Sequence, residues 1–191
     1  MKKKADRKRF QIVISGVGGQ GVLFVTRLLA EAAMMKGYPV FTSETHGMAQ
    51  RGGTVVSHLK VGDFSSPLIR PFKADGLIAL KSESIIQHGS FLKKGSWIFV
   101  NSGETPGSGF DTYAVDADAL SIKTGNPKSV NLVLLGFALK RESGGLVNDK
   151  RLFCAFNDIK SVLSGRFKEK GKMLDASLKA LETGYTAVSK N

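Results

Sequence analysis

Along the chain, short apolar runs alternate with longer stretches in which apolar positions recur every three or four residues. "FQIVIS" (10–15) is apolar and rich in β-branched side chains, the pattern of a strand buried on both faces. Val22, Val25, Leu29 and Ala32 then fall at helical spacing, which predicts a helix over 20–36 stopped by Gly37. "YPVFTS" (38–43) makes a second strand, and the strand–helix–strand order predicts parallel pairing with the first. Further strands are expected at 54–61, 74–80, 96–102 and 110–115. Further helices are expected at 82–90, 116–122, 128–141, 149–164 and 172–188, the last with a stripe of Leu174, Leu178, Leu181 and Tyr185. The predicted fold class is α/β: a single three-layer Rossmann-like domain over 10–191 with a mostly parallel sheet. The runs at 10–15, 38–43, 75–80 and 97–100 are expected at its centre. A basic lead-in, 1–9, is expected to be disordered.

The stretch "KSVNLVLLGFALKR" (128–141) breaks the amphipathic rule, being apolar on nearly every face. Such a helix either lies deep in the core or waits for a partner to cover it. Gly136 inside it costs about 1 kcal/mol of helix propensity, so another backbone is expected to pack closely there.

Charge changes this picture little. The 191 residues carry a net charge of +12, with six of residues 2–9 being Lys or Arg and a second basic cluster at 166–172. Basic clusters suit nucleic acid, acidic partners or polyphosphates. No aromatic interleaving accompanies these two, so a frayed tail and a solvated helix start is the plainer reading, and nucleic acid is not the expected partner. No run of about 18 apolar residues predicts a transmembrane helix. The basic N-terminus has no following apolar h-region, so a cytoplasmic protein without membrane attachment is expected. Cys154 is the single cysteine. It excludes an intrachain disulfide and a four-thiolate metal or iron–sulfur site built from this chain alone.

The candidate chemistry lies in two loops. In "GVGGQGVL", Gly16, Gly18 and Gly21 satisfy G-x-G-x-x-G directly after a strand and before a helix, where free N–H groups suit a phosphate or carboxylate. Glu44, at the end of the second strand, falls near the place of the ribose-binding acid of dinucleotide-binding folds. Gly19 and Gln20 are not asked for by that fingerprint. A bound nucleotide or anion and a structural turn or protein interface both fit the spacing. The second loop, "ETHGMAQRGG" (44–53), leaves the same sheet edge. Arg51 with Gly52 and Gly53 sets a cation beside accessible backbone N–H groups. His46 is a possible proton donor, but no second histidine or carboxylate is placed by sequence to make a catalytic pair. His58 and His88 belong to other elements. No catalytic residue and no metal site is expected on this chain.

Taken together, "GVGGQGVL", "SETHGMAQRGGTVVSHLKVGD", "SSPLI" and "ADGLIALKSES" resemble the small (beta) subunits of indolepyruvate ferredoxin oxidoreductases. More broadly they resemble the gamma subunit or domain of pyruvate and 2-oxoacid ferredoxin oxidoreductases. "NLVLLGFAL" and "SLKALETGY" extend the resemblance towards residue 188, with Ser177 where the family pattern suggests Asn. The resemblance implies oxidative decarboxylation of a 2-oxoacid, an arylpyruvate in this branch, to an acyl-CoA. Electrons would pass to ferredoxin. Thiamine diphosphate, Mg and iron–sulfur clusters would belong to a large partner subunit, with coenzyme A as co-substrate and no cofactor on this chain. "VGDF" (61–64) lacks the continuation of a thiamine diphosphate motif. The isolated chain is therefore expected to be inactive and self-associated. Gly16, Gly18, Gly19, Gln20, Gly21, Glu44, His46, Arg51, Gly52 and Gly53 would face coenzyme A or a subunit interface. An NAD(P)- or other nucleotide-binding Rossmann-like protein is the alternative.

Overall fold

A computed structural model describes residues 9–46, 53–140 and 152–189. In chain order it has β1 (Phe10–Val17), α1 (Val22–Met35), β2 (Val40–His46), β3 (Thr54–Val61), β4 (Ala74–Ala79) and α2 (Glu83–His88). After them come β5 (Leu92–Asn101), β6 (Asp111–Val115), α3 (Ala117–Lys123), α4 (Val130–Leu139), α5 (Phe156–Arg166) and α6 (Gly171–Thr186). All but Arg9 of the basic lead-in lies outside the described residues.

The strands form one sheet in the order β2-β3-β1-β4-β5-β6. β1, β4, β5 and β6 pair in parallel, while β3 runs antiparallel to both β1 and β2. The α/β class and the mostly parallel sheet are as predicted, since five strands share one direction. The predicted pairing of 10–15 with 38–43 is not found. β3 lies between them, and β2 is an edge strand with Phe41 38% exposed. The reason is geometric. Only residues 47–53 separate β2 from β3, too few for a parallel crossover, so β3 must return beside β2 in the opposite direction.

α1 buries Val25, Leu28, Leu29 and Ala32 against the sheet, and it ends where glycine was expected. Gly37 (φ 76°) bonds back to the Met34 carbonyl and Tyr38 to that of Ala33, satisfying the last turn. α5 begins at Phe156, later than the predicted 149, because the Asp158 carboxylate accepts the Ala155 N–H at 2.7 Å and fixes the start there.

The two faces of the sheet are covered unequally. On the first, Ile12, Ile14, Leu59, Ile78, Leu80 and Phe99 pack under α1, α4, α5 and α6, with Ala117 of α3 joining them. On the second, Val13, Val56, Leu77, Ala79, Ile98 and Val100 lie under α2 and the loops that carry Ile69, Phe91 and Phe110. α4 settles the choice left open by its apolar pattern. Every residue from Asn131 to Leu139 is buried within this chain, so the helix is core and not a patch awaiting a partner. A Cβ on Gly136 would overlap the Leu181 carbonyl oxygen of α6, and one on Gly184 would overlap that of Val133 of α4. The close backbone approach predicted at Gly136 is thus a crossing built on two glycines. No helix among the described residues is long and apolar enough to cross a membrane.

Candidate functional site

From β1 the chain continues to one side of the sheet, into β2 and β3. From β4 it continues to the other, into β5 and β6. The crevice outside the C-terminal ends of β1 and β4 is therefore the topological switch point, where open α/β sheets hold ligands. The glycine loop lies on it. Gln20 braces the crevice: its Oε1 accepts the Val17 N–H at 2.9 Å and its Nε2 donates to the Leu80 carbonyl at 3.4 Å. Gly16 is glycine because a Cβ there would stand 2.7 Å from that Oε1 and 2.9 Å from Leu80 Cβ. Gly18 donates its N–H to the Gly53 carbonyl at 3.0 Å, tying the loop to the entry of β3. Gly21, the N-cap of α1, has φ 83°, and a Cβ on it would overlap Asn131 Nδ2. Only at Gly19 (φ 90°) would a Cβ meet nothing within 4 Å, and both Gly18 and Gly19 are exposed. Much of the loop's glycine content thus answers to the chain's own packing, and its tip is open to an outside group.

The second predicted loop is brought near only in part. Gly53 touches the glycine loop through its carbonyl, while Arg51 and Gly52 lie outside the described residues. His46 ends β2 opposite Val55. Glu44 pairs with Ser57, which in turn pairs with Ile14 of β1. Two strand spacings, about 10 Å, therefore separate Glu44 from β1. In a dinucleotide-binding fold the acid stands on the strand next to the glycine loop. Here β3 occupies that place, and the dinucleotide alternative loses its ribose ligand.

Two features were not read from sequence. Asn131 of α4 faces the N-terminus of α1, its Oδ1 accepting the Leu132 N–H at 2.7 Å. A polar residue in an otherwise apolar helix was the available signal. On the second face, His58 of β3 and His88 of α2 both approach the Phe91 ring, at 5.1 and 6.3 Å between ring centres. Among the described residues, His58 Nδ1, His88 Nε2 and Ser57 Oγ are buried without a hydrogen-bond partner. Burial lowers the pKa of both imidazoles, His58 further through His88 and Lys60. Burial also pushes the Cys154 thiol up to about 12, with the Asp158 charge adding to it, which makes it a poor nucleophile.

Residues 11–187 match the family model described as pyruvate ferredoxin/flavodoxin oxidoreductase. The indolepyruvate oxidoreductase subunit IorB of Thermococcus kodakarensis is 31% identical, the match covering 94% of this chain and 96% of that protein. The same subunit of Archaeoglobus fulgidus is 32% identical, with 93% and 94% covered. The ketoisovalerate oxidoreductase subunit VorA of Methanothermobacter thermautotrophicus is 31% identical over 91% of this chain but only 35% of its own length. Among solved structures, the keto/oxoacid ferredoxin oxidoreductase gamma subunit of Geobacter sulfurreducens has the same fold. Its TM-score is 0.71 at 23% identity, with 92% of this chain and 96% of that one covered. The chain therefore belongs to the pyruvate ferredoxin/flavodoxin oxidoreductase family.

Proposed function

We propose that this chain is the small, non-catalytic subunit of a cytoplasmic enzyme that oxidatively decarboxylates an arylpyruvate such as indolepyruvate. The acyl group is joined to coenzyme A and the electrons pass to ferredoxin. The carrying observation is the end-to-end likeness to two IorB subunits, against a match to only about a third of VorA. The chemistry agrees. A carbanion equivalent next to a carbonyl normally requires a cofactor, and one cysteine cannot hold a cluster to receive the electrons. Thiamine diphosphate, Mg and the iron–sulfur clusters belong, on this reading, to a large partner subunit.

On the same reading the exposed tip of the glycine loop and Arg51 meet coenzyme A or the partner. A 2-oxoglutarate:ferredoxin oxidoreductase of Magnetococcus marinus with the same fold carries coenzyme A and succinyl-CoA (TM-score 0.73, 23% identity, 97% of this chain and 32% of that one covered). Replacing Arg51 by Ala should weaken coenzyme A binding by about 1–3 kcal/mol, the value of a charged hydrogen bond, and unchanged affinity would leave Arg51 without this role. The decisive test is reconstitution. The purified chain should oxidise no arylpyruvate with thiamine diphosphate, coenzyme A and an electron acceptor, and mixing with the large subunit should restore turnover. Activity of the chain alone, or of the large subunit without it, would overturn the assignment.

A further inference from the structure

α4, whose apolar pattern could have awaited a partner, is covered within the chain, so a docking face must lie elsewhere. The outer surface of α1 and α5 offers one. Arg166, at the end of α5, bonds Glu31 and lies over the Phe24 ring at 5.8 Å. Lys36, just past α1, reaches Asp158 in the first turn of α5 at 2.9 Å. The two helices therefore run antiparallel, held near both ends by ion pairs. Between them lies a groove of about 550 Å³ whose apolar lining is Met34, Met35, Val162 and Gly165. It is open to solvent: Met34 and Met35 are 56% and 66% exposed, and a Cβ on Gly165 would meet nothing within 4 Å. Unbranched thioether side chains repack around what lies on them, which suits a binding surface. The polar side chains of the groove already have partners. Glu31 and Arg166 hold each other, and Ser161 Oγ donates to the Asn157 carbonyl at 2.9 Å. Little is left to orient a small polar molecule, whereas an open apolar groove between two helices accepts the apolar side of a third.

Charge says what kind of helix that is. At the Phe24 end of the groove, Phe167 packs on Phe24 with 6.4 Å between ring centres, and the chain then turns into α6. That turn carries Lys168 and Lys170, with Lys172 at the start of α6, and Arg27 stands one turn before Glu31 on α1. All four are exposed and pair with no carboxylate among the described residues. Glu169 is the one acid in 166–172. We propose that the large partner subunit docks in this groove through an acidic amphipathic helix. Its apolar side lies on the two methionines and Val162, and its carboxylates face the basic turn. A second copy of this chain, with a net charge of +12, would set cations against cations here. Arg27 to Met35 spans about 12 Å of helix, so a partner helix of two to three turns reaches both the basic and the apolar end. The inference rests on the subunit reading above and deepens it, because it assigns the face used and the chemistry of the partner segment.

The test uses the full chain and the matching large subunit, with the dissociation constant of the complex measured at low and at physiological salt. Met34→Glu, which sets a carboxylate against the acidic helix, should weaken assembly about tenfold or more. Lys168→Glu with Lys170→Glu should weaken it by a similar factor at low salt and flatten its salt dependence. Ile122→Glu makes the same charge change as Met34→Glu at an exposed position on α3 and should assemble like wild type. All four positions are exposed, so the thermal midpoints of the free variants should stay near that of the wild type. In the wild-type chain, the methyl resonances of Met34 and Met35 should shift on mixing with the large subunit. No shift there overturns the docking site whatever the variants do. Equal affinities of wild type and Met34→Glu overturn it too, and leave the subunit assignment standing. A wild-type chain that does not bind the large subunit removes that assignment and this inference with it. Equal weakening by Ile122→Glu would mean that bulk charge governs assembly, against the groove. Lysine variants that assemble normally but lose binding to a short DNA duplex would give the basic turn to nucleic acid and sink the proposal.

Discussion

The first face of the sheet is sealed by helices that approach so closely that side chains are excluded, whereas the second is roofed by one short helix and loops. On the first face the polar groups are mostly spent. Gln20 is bonded at both ends, and Asn101 caps α3 by accepting the Ala117 N–H at 2.9 Å while donating to Asp118 at 2.8 Å. On the second, two histidines leave ring nitrogens buried and unpaired among the described residues, and Phe72 and Ile86 stand 69% and 91% exposed. The difference teaches where each kind of work can be done. A rigid, glycine-packed face can hold backbone donors in fixed positions for an anion. A thin roof tolerates local change and responds to its surroundings.

The sharpest way to break this contrast is at the glycine crossing. Gly184→Leu would force α6 away from the Val133 carbonyl, and with both helices already packed the cost should be at least about 3 kcal/mol. Chemical denaturation should show a protein barely folded or not folded at all; a loss below about 1 kcal/mol would mean that the crossing is loose. Next in size come paired cavities. Leu134→Ala, under the helical cover, should cost about 3–5 kcal/mol, and Leu77→Ala, under the thin roof, nearer 2–3, because loops collapse into a void more readily than packed helices. Equal losses would erase the distinction between the faces.

What sequence could say about these faces follows from range. β1, β3 and β6 were legible because each is a local run, and the burial of α4 was legible because it offers no polar face. That Gly136 needed a close neighbour followed from its propensity cost. That the neighbour was Gly184 did not, since nothing local ties positions so far apart. The place of β2 was misread although the short 47–53 return forbids a parallel neighbour; the glycine motif suggested a dinucleotide-type order that the loop length contradicts. Of the site, the glycine loop and its sheet edge were legible. Asn131 was not, because its role arises only where α4 meets α1. The meeting of His58 and His88 across Phe91 likewise needs the folded sheet.

A gentler probe is pH. Both imidazoles have lowered pKa values because burial resists their charge, so below their ordinary 6.5 the unfolded chain binds protons that the folded chain refuses. This contribution to stability is fully present above 6.5 and falls as the pH drops through and below it. His58→Gln should flatten that limb of the stability–pH curve, and His88→Gln should flatten it by the smaller amount expected of the more exposed ring. A wild-type curve that stays level from pH 7 to about pH 5, or one unchanged in both variants, would mean that the roof admits water and the histidines titrate freely.

The smallest expected effect is a gain. Phe72, in the loop roofing the second face, is the one non-glycine among the described residues with positive φ, at 58°. The left-handed region crowds a β-carbon and costs a bulky residue about 1 kcal/mol, a cost Asn largely escapes. The backbone bond from Phe72 N–H to the Ser90 carbonyl, 3.0 Å, is kept by any residue but proline, and the exposed ring gives little packing in return. Phe72→Asn should therefore stabilise the isolated chain by about 0.5–1 kcal/mol, raising its midpoint by roughly 1–4 °C. The same substitution at Phe99, enclosed under the helices of the first face, could only destabilise, so the sign itself separates the two faces. A lowered midpoint would show that the ring packs. Measured again in the assembled enzyme, a gain of the same size would leave Phe72 in solvent there as well. A gain in the free chain with a weaker complex would show that the thin roof is covered on assembly.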